Sequence, residues 1–304
     1  MMTPPRLAVL AAAAIALAGC AHREEPPPPP HGLFSVGDGR SLFLDCQGSG
    51  SPTVFIIPGK GSYAEAWNVA VAPDDPIRSS PYDIIEQARL GPSPDAVQPT
   101  LAKRGRVCAY DRPDTRPDGT DRSTSVPQPH TVAADVDDIV ALIGAARLQG
   151  PLIVVAHSYG GLVADLLART HPDLVSALVM VDPVSEFLPT VGSPAQNAAF
   201  DRDGRVPAIP DGEGLLLDDA FRRIADAPPL PNVPAAVLSS GKFFPPHMLT
   251  PENYTQAQIH RANDMLADAL HTTNHIVADS GHNVMLYDPA AVVDTVEAVR
   301  ARLG

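Results

Sequence analysis

The sequence predicts an α/β fold in which helices cover both faces of a mostly parallel sheet. Two observations carry that expectation. Short β-branched runs alternate along the chain with stretches of helical period, and a serine flanked by small residues stands where one such strand run passes into a helix. With 304 residues, 44% of them hydrophobic, one large α/β domain can bury a sizeable core. The 34 prolines, about twice the usual share, point to long ordered loops rather than additional helix.

The first residues read as a targeting segment. Met1–Arg6 is short and basic, and Leu7–Ala18 is an unbroken apolar run. A membrane-spanning helix needs about 20 apolar residues, so this run suits a signal-peptide core instead. It ends in Leu17-Ala18-Gly19-Cys20, which resembles a bacterial lipobox and makes Cys20 the expected lipidation site. The alternative is an ordinary secretory signal in which Cys20 is incidental. Residues 20–31, with five consecutive prolines at 26–30, then form a stiff extended tether ahead of one domain over 32–304. The expected location is the extracytoplasmic face of a bacterial cell membrane, held there by the N-terminal lipid.

Beyond the tether, strand runs are expected at Ser41–Cys46, Thr53–Ile57, Arg106–Tyr110, Leu152–Ala156, Leu178–Val181 and Ala235–Leu238, with a weaker one at His275–Val277. Thr131–Arg147 carries Val132, Val136, Ile139, Val140 and Ile143 at helical spacing. Gly160–Thr170 reads as a helix, and Ala290–Leu303 as a closing amphipathic one. Two segments break the rhythm. Residues 73–101 are rich in Pro and Asp, and residues 183–232 are polar, with one helical stretch near Asp218–Ala227. Long insertions in a compact domain usually cover or line a site, so the second is read as a lid.

The chemistry concentrates in Val155-Ala156-His157-Ser158-Tyr159-Gly160-Gly161. A serine with small residues two positions away on each side, between a buried strand and a helix, fits a nucleophile elbow. The turn is too tight for larger neighbours, and its strain lifts Oγ out of the backbone. Ala156 stands where the usual Gly-x-Ser-x-Gly pattern has its first glycine, a mild departure. Three further stretches, Pro58-Gly59-Lys60-Gly61, Ala109-Tyr110-Asp111-Arg112 and Ser280-Gly281-His282 ahead of Asp288-Pro289, follow in the matching order.

On these motifs the chain resembles the α/β-hydrolase superfamily over nearly all of residues 32–303. The resemblance implies a mostly parallel eight-stranded sheet with a small lid insertion and a serine hydrolase mechanism without cofactor. Ser158 is then the nucleophile and His282 its base, chosen among ten histidines for its Gly-flanked loop after the last strand. The acid is less direct. The commonest family position, after the strand Ala235–Leu238, reads Ser239-Ser240-Gly241-Lys242 and holds no carboxylate. Asp182, at the end of the preceding strand, is the chosen acid and Glu186 the alternative. By family position the oxyanion donors are the N–H groups of Lys60 and Tyr159. Pro58 departs from the histidine many relatives carry there, and the Lys60 side chain is expected to point to solvent. With Cys20 taken by lipid, Cys46 and Cys108 are left as a disulfide candidate on strands the resemblance makes neighbours; the alternative is two buried thiols.

Net charge is −13, and no basic cluster is present, which excludes a nucleic-acid binder. Neither Cys46 nor Cys108 has metal-site spacing with histidine, so no structural metal is expected. The leading function is hydrolysis of a small-molecule carboxylic ester or lipid through an acyl-serine. The alternative is a non-catalytic envelope lipoprotein that keeps the fold to bind a ligand or partner. The sequence is silent on oligomeric state.

Overall fold

The structure is a computed structural model that describes residues 1–2, 28–116 and 122–304. The expected signal-peptide core, Cys20 and the tether as far as residue 27 lie outside the described residues.

Eight strands build one sheet: β1 His31–Gly37, β2 Arg40–Gln47, β3 Val54–Ile57, β4 Val107–Asp111, β5 Leu152–His157, β6 Val175–Val181, β7 Ala235–Ser240 and β8 Asn274–Val277. Their order across the sheet is β1-β2-β4-β3-β5-β6-β7-β8. The pairs β1–β2 and β2–β4 are antiparallel, and every other neighbouring pair is parallel.

Burial explains why the central strands read as continuous apolar runs. Every residue of β3 and β5 is buried, because layers cover both faces. Alternation still sorts the side chains. Phe55, Ile57, Val154 and Ala156 join one core layer, and Val54, Ile56, Ile153 and Val155 join the other. The first layer is closed by helices α2 Val132–Ala145 and α3 Gly160–Thr170, the second by α1 Val97–Ala102 and the closing helix α7 Pro289–Arg300. Thr131 caps α2 by accepting from the Ala134 N–H, and Asp288 does the same for α7 through Ala291.

Several elements add to the sequence reading. The edge strand β1 was not expected, because only alternate residues are half-buried and Leu33 is exposed. Helix α6, Gln256–Ala269, was also unassigned. The insertion over 183–232 holds two main helices rather than one, α4 Pro194–Arg205 and α5 Leu217–Asp226. The polar composition of α4 hides it, but Ser193 and Gln196 form a capping box with Pro194 at the first position, a start signal legible in the residues. Residues 73–101 hold a strand, Leu90–Pro92, that pairs with Val69–Val71 in a short antiparallel ribbon before α1 begins.

Cys46 and Cys108 face one another directly across β2 and β4 and form a disulfide. The bond closes a segment with a sequence separation of 62 and sits within the core. Replacing both cysteines with alanine is expected to lower stability by about 2–4 kcal/mol, read from urea unfolding.

Candidate active site

Three loops at the carboxyl ends of β3, β5 and β6 converge on one point. After β5 the chain turns so sharply that Ser158 takes φ +52°, a left-handed conformation for a residue with a side chain. The Ser158 carbonyl, which would be orphaned by that turn, accepts from the N–H groups of Gly161 at 2.9 Å and Val184 at 2.8 Å. Glycine is required next to it. A Cβ on Gly160 would lie 2.4 Å from the Ile57 carbonyl oxygen and 2.8 Å from that of Pro58. One on Gly161 would lie 2.6 Å from Pro183 Cβ.

Ser158 Oγ lies 3.0 Å from His282 Nε2, and His282 Nδ1 lies 2.7 Å from Asp182 Oδ2. A carboxylate only accepts, so Nδ1 carries the proton and Nε2 offers its lone pair to the serine hydroxyl. Asp182 is buried and also accepts the backbone N–H and the hydroxyl of Ser240, each at 2.9 Å. Burial alone would raise its pKa, but the hydrogen bond and charge of His282 together with Ser240 hold it below the ordinary value. For His282 burial acts to lower the pKa, and Asp182 outweighs it and holds the imidazole above its usual value. Glu186 is placed elsewhere. It pairs with Arg169 at 2.6 Å, which also holds Asp165.

The His282 backbone is fixed from two sides. Its N–H donates to Asp83 at 2.7 Å, and its carbonyl accepts from His157 Nε2 at 2.9 Å. His157 is therefore turned away from Ser158 Oγ, as its place in the elbow requires. Burial pushes its pKa down to about 3, assisted by the neighbouring His282, so the ring stays neutral.

The N–H groups of Lys60 and Tyr159 donate to no acceptor among the described residues. The Lys60 side chain does not run out to solvent as expected. Its Nζ donates to the carbonyls of Asp203 at 3.1 Å and Val206 at 2.7 Å, where α4 ends and carbonyls are left over. A cavity of about 310 Å³ opens over Ser158 and His282, with walls of Val184, Leu188, Phe200, Leu217, Tyr254 and Ile259. Its size suits a small organic molecule, and most of these residues come from the insertion. His260 stands in the wall and donates to the Ser240 carbonyl at 2.8 Å. Among the described residues no group of three or more His, Cys, Asp or Glu side chains converges to hold a metal ion.

A family description, "Alpha/beta hydrolase family", matches residues 54–295. The chain belongs to the alpha/beta hydrolase family. Lipase LipV of Mycobacterium tuberculosis is 47% identical over 55 residues, covering 18% of this chain and 21% of the lipase. An uncharacterized protein of Schizosaccharomyces pombe is 28% identical over 158 residues, 49% of this chain and 28% of its own length. The matches thus span well under half the length of these curated relatives. Among solved structures, a thermophilic esterase from Thermogutta terrifontis superposes with a TM-score of 0.58 at 15% identity, covering 90% of this chain and 99% of the esterase. A hydrolase from Pseudomonas aeruginosa gives 0.57 at 16% identity, over 89% and 98% of the two chains. At that identity the likeness shows the fold alone.

For this alpha/beta hydrolase, sequence reasoning missed three residues beside the site. Arg112 lies in a stretch that carried the family resemblance but was given no role. Glu213 lies in the polar insertion, and the two meet at 2.6 Å across 101 positions. No local pattern signals a pair so distant, although an arginine in a strand-end turn next to a buried run was a visible oddity. Asp83, which holds His282, was likewise hidden in the loop-rich segment 73–101. The elbow itself gives the clearest test of local packing. Gly160→Ala is expected to destabilise the protein by roughly 1–3 kcal/mol through overpacking against Ile57 and Pro58, measured by thermal unfolding.

Proposed function

We propose that the protein is a serine hydrolase that cleaves carboxylic esters through a covalent acyl-Ser158. The observation that carries this reading is the unbroken chain Ser158 Oγ, His282 Nε2, His282 Nδ1, Asp182, with distances of 3.0 and 2.7 Å, at the mouth of a largely apolar cavity. An unassisted serine hydroxyl is a poor nucleophile at neutral pH, and a correctly oriented imidazole supplies the missing base.

In this scheme His282 takes the Ser158 proton as Oγ attacks the ester carbonyl, and Asp182 holds the resulting imidazolium. The negative charge that develops on the carbonyl oxygen is met by the Lys60 and Tyr159 N–H groups. As the tetrahedral intermediate collapses, His282 returns its proton to the leaving alcohol. Water, deprotonated by the same imidazole, then attacks the acyl-serine and releases the acid. The lipase among the sequence relatives and the esterase among the solved structures support an ester substrate. The lipobox-like Cys20 supports an exported, lipid-anchored protein. The Cys46–Cys108 disulfide fits such an oxidising compartment.

The decisive test is hydrolysis of a nitrophenyl ester series, followed by mass-spectrometric mapping of a fluorophosphonate adduct. The adduct is expected on Ser158. Neither turnover nor adduct in a folded protein would favour the ligand-binding alternative. Ser158→Ala is expected to lower kcat by about 10⁶, and Asp182→Asn by about 10⁴. The pH profile adds an independent check. Protonated His282 cannot accept the serine proton, and Asp182 raises the imidazole pKa, so the acid limb of kcat/KM should have its midpoint above the unperturbed value of about 6.5. In Asp182→Asn burial acts without its counterweight, and the midpoint of the residual activity should move down.

A further inference from the structure

The peptide unit that joins Gly59 to Lys60 contains both the Gly59 carbonyl and the Lys60 N–H. In a trans peptide these two point in opposite directions, so whatever holds the carbonyl also aims the N–H. Here the carbonyl is held from below by Arg112. Its guanidinium donates through Nη2 to Gly59 O at 2.5 Å and through Nη1 to Pro58 O at 2.6 Å. Its Nε donates to Glu213 Oε1 at 2.6 Å, and Glu213 Oε2 accepts the N–H of Gly61 at 2.7 Å. Backbone groups on both sides of Lys60 N are therefore tied to one ion pair. Arg112 is 1% exposed and Glu213 2%, so neither has water as an alternative partner.

The same buried group reaches the second donor. His130 Nε2 stands 3.1 Å from Asp135 and 3.6 Å from Glu213. Asp135 accepts the Tyr159 hydroxyl at 2.6 Å, and the Arg112 guanidinium lies 5.3 Å from the Tyr159 ring. The loop itself adds one longer bond to the Gly59 carbonyl, from the Ser62 N–H at 3.1 Å, and nothing of its own on Pro58 O or Gly61 N. Pro58 brings no N–H and no polar side chain, and the glycines on either side of Lys60 leave the backbone free to rotate.

We propose that Arg112 and Glu213 are positioning residues that turn the Lys60 N–H toward the substrate oxyanion. The proposal rests on the serine hydrolase reading. Because Glu213 belongs to the insertion over 183–232, it also makes the oxyanion loop depend on the insertion being docked. Lys60 Nζ, bound to the end of α4, joins the two from the other side.

Two variants test the proposal. Arg112→Lys keeps the charge opposite Glu213 but loses the fork that spans two carbonyls. Arg112→Met combined with Glu213→Leu removes both buried charges, so neither is left without a partner. Each is compared with wild type for kcat and KM on a short nitrophenyl ester and for inhibition by a trifluoromethyl ketone, whose serine adduct carries the oxyanion. Circular dichroism confirms the fold. Expected is a loss of about 100-fold in kcat, with KM within about twofold and a ketone inhibition constant that rises by the same factor as kcat/KM falls. Folded variants with wild-type kcat and ketone affinity overturn the proposal, and so does a kcat loss that leaves ketone affinity unchanged. A wild-type protein without turnover or fluorophosphonate adduct overturns the hydrolase reading itself, an outcome distinct from active wild type beside equally active variants.

Discussion

The site depends on one close approach, that of Gly160 to the end of β3. With room for no Cβ beside the Ile57 and Pro58 carbonyls, the start of α3 and the loop after β3 are in backbone contact. That contact forces the left-handed turn at Ser158, a strain of about 1–3 kcal/mol for a residue with a side chain. The strain persists because the surroundings over-determine it. The Ser158 N–H donates to Val181 at the end of β6, and its carbonyl collects two donors, one of them Val184 beyond β6. Ser158, the loop after β3 and the turn that carries Asp182 are thus parts of a single backbone arrangement at the strand ends, where parallel sheets place their ligands.

Electrostatics follow the same economy. A chain of net charge −13 sets several carboxylates close to Ser158, and each is answered locally. Asp182 has His282 and Ser240, Asp83 has the His282 N–H and the Tyr287 hydroxyl, and Glu213 has Arg112 and the Gly61 N–H. Two imidazoles, His157 and His282, lie tilted against one another with centroids 4.7 Å apart, and two cations at that distance in a buried site would repel strongly. The conflict is resolved by burial of His157, whose pKa of about 3 keeps it a neutral donor to the His282 carbonyl. In the proposed reaction the ionisation that matters then belongs to His282 alone.

What could be read from the residues follows from how local each signal is. The elbow, with its strand, its serine and its glycines, lies within seven consecutive positions, and the strand and helix periods around it are equally short-ranged. The central strands were legible because burial on both faces makes them continuously apolar, whereas β1 shows only half-buried alternate residues. Helix α4 is polar along most of its length, so its start survives in the capping residues and not in a hydrophobic stripe. Arg112 with Glu213, and Asp83 with His282, join positions 101 and 199 apart, and nothing in either neighbourhood announces the other. Lys60 was assigned to solvent on composition, since a lysine beside two glycines gives no hint of the helix end that receives it.

The place of Asp182, the proposed acid, shows how a departure from a family pattern is absorbed. The end of β7, where the family's usual carboxylate stands, holds Ser240, and Asp182 at the end of β6 reaches across to the imidazole instead. The serine is not a bystander. By donating both its N–H and its hydroxyl to Asp182, one to each oxygen, it occupies two further acceptor sites and restricts how the carboxylate can turn. Ser240 is in turn held by α6, through His260 and Gln256 on the strand-end carbonyls. Orientation of the His282 imidazole therefore runs from α6 through β7 to the end of β6, and Ser240 takes part in the site as a donor to Asp182.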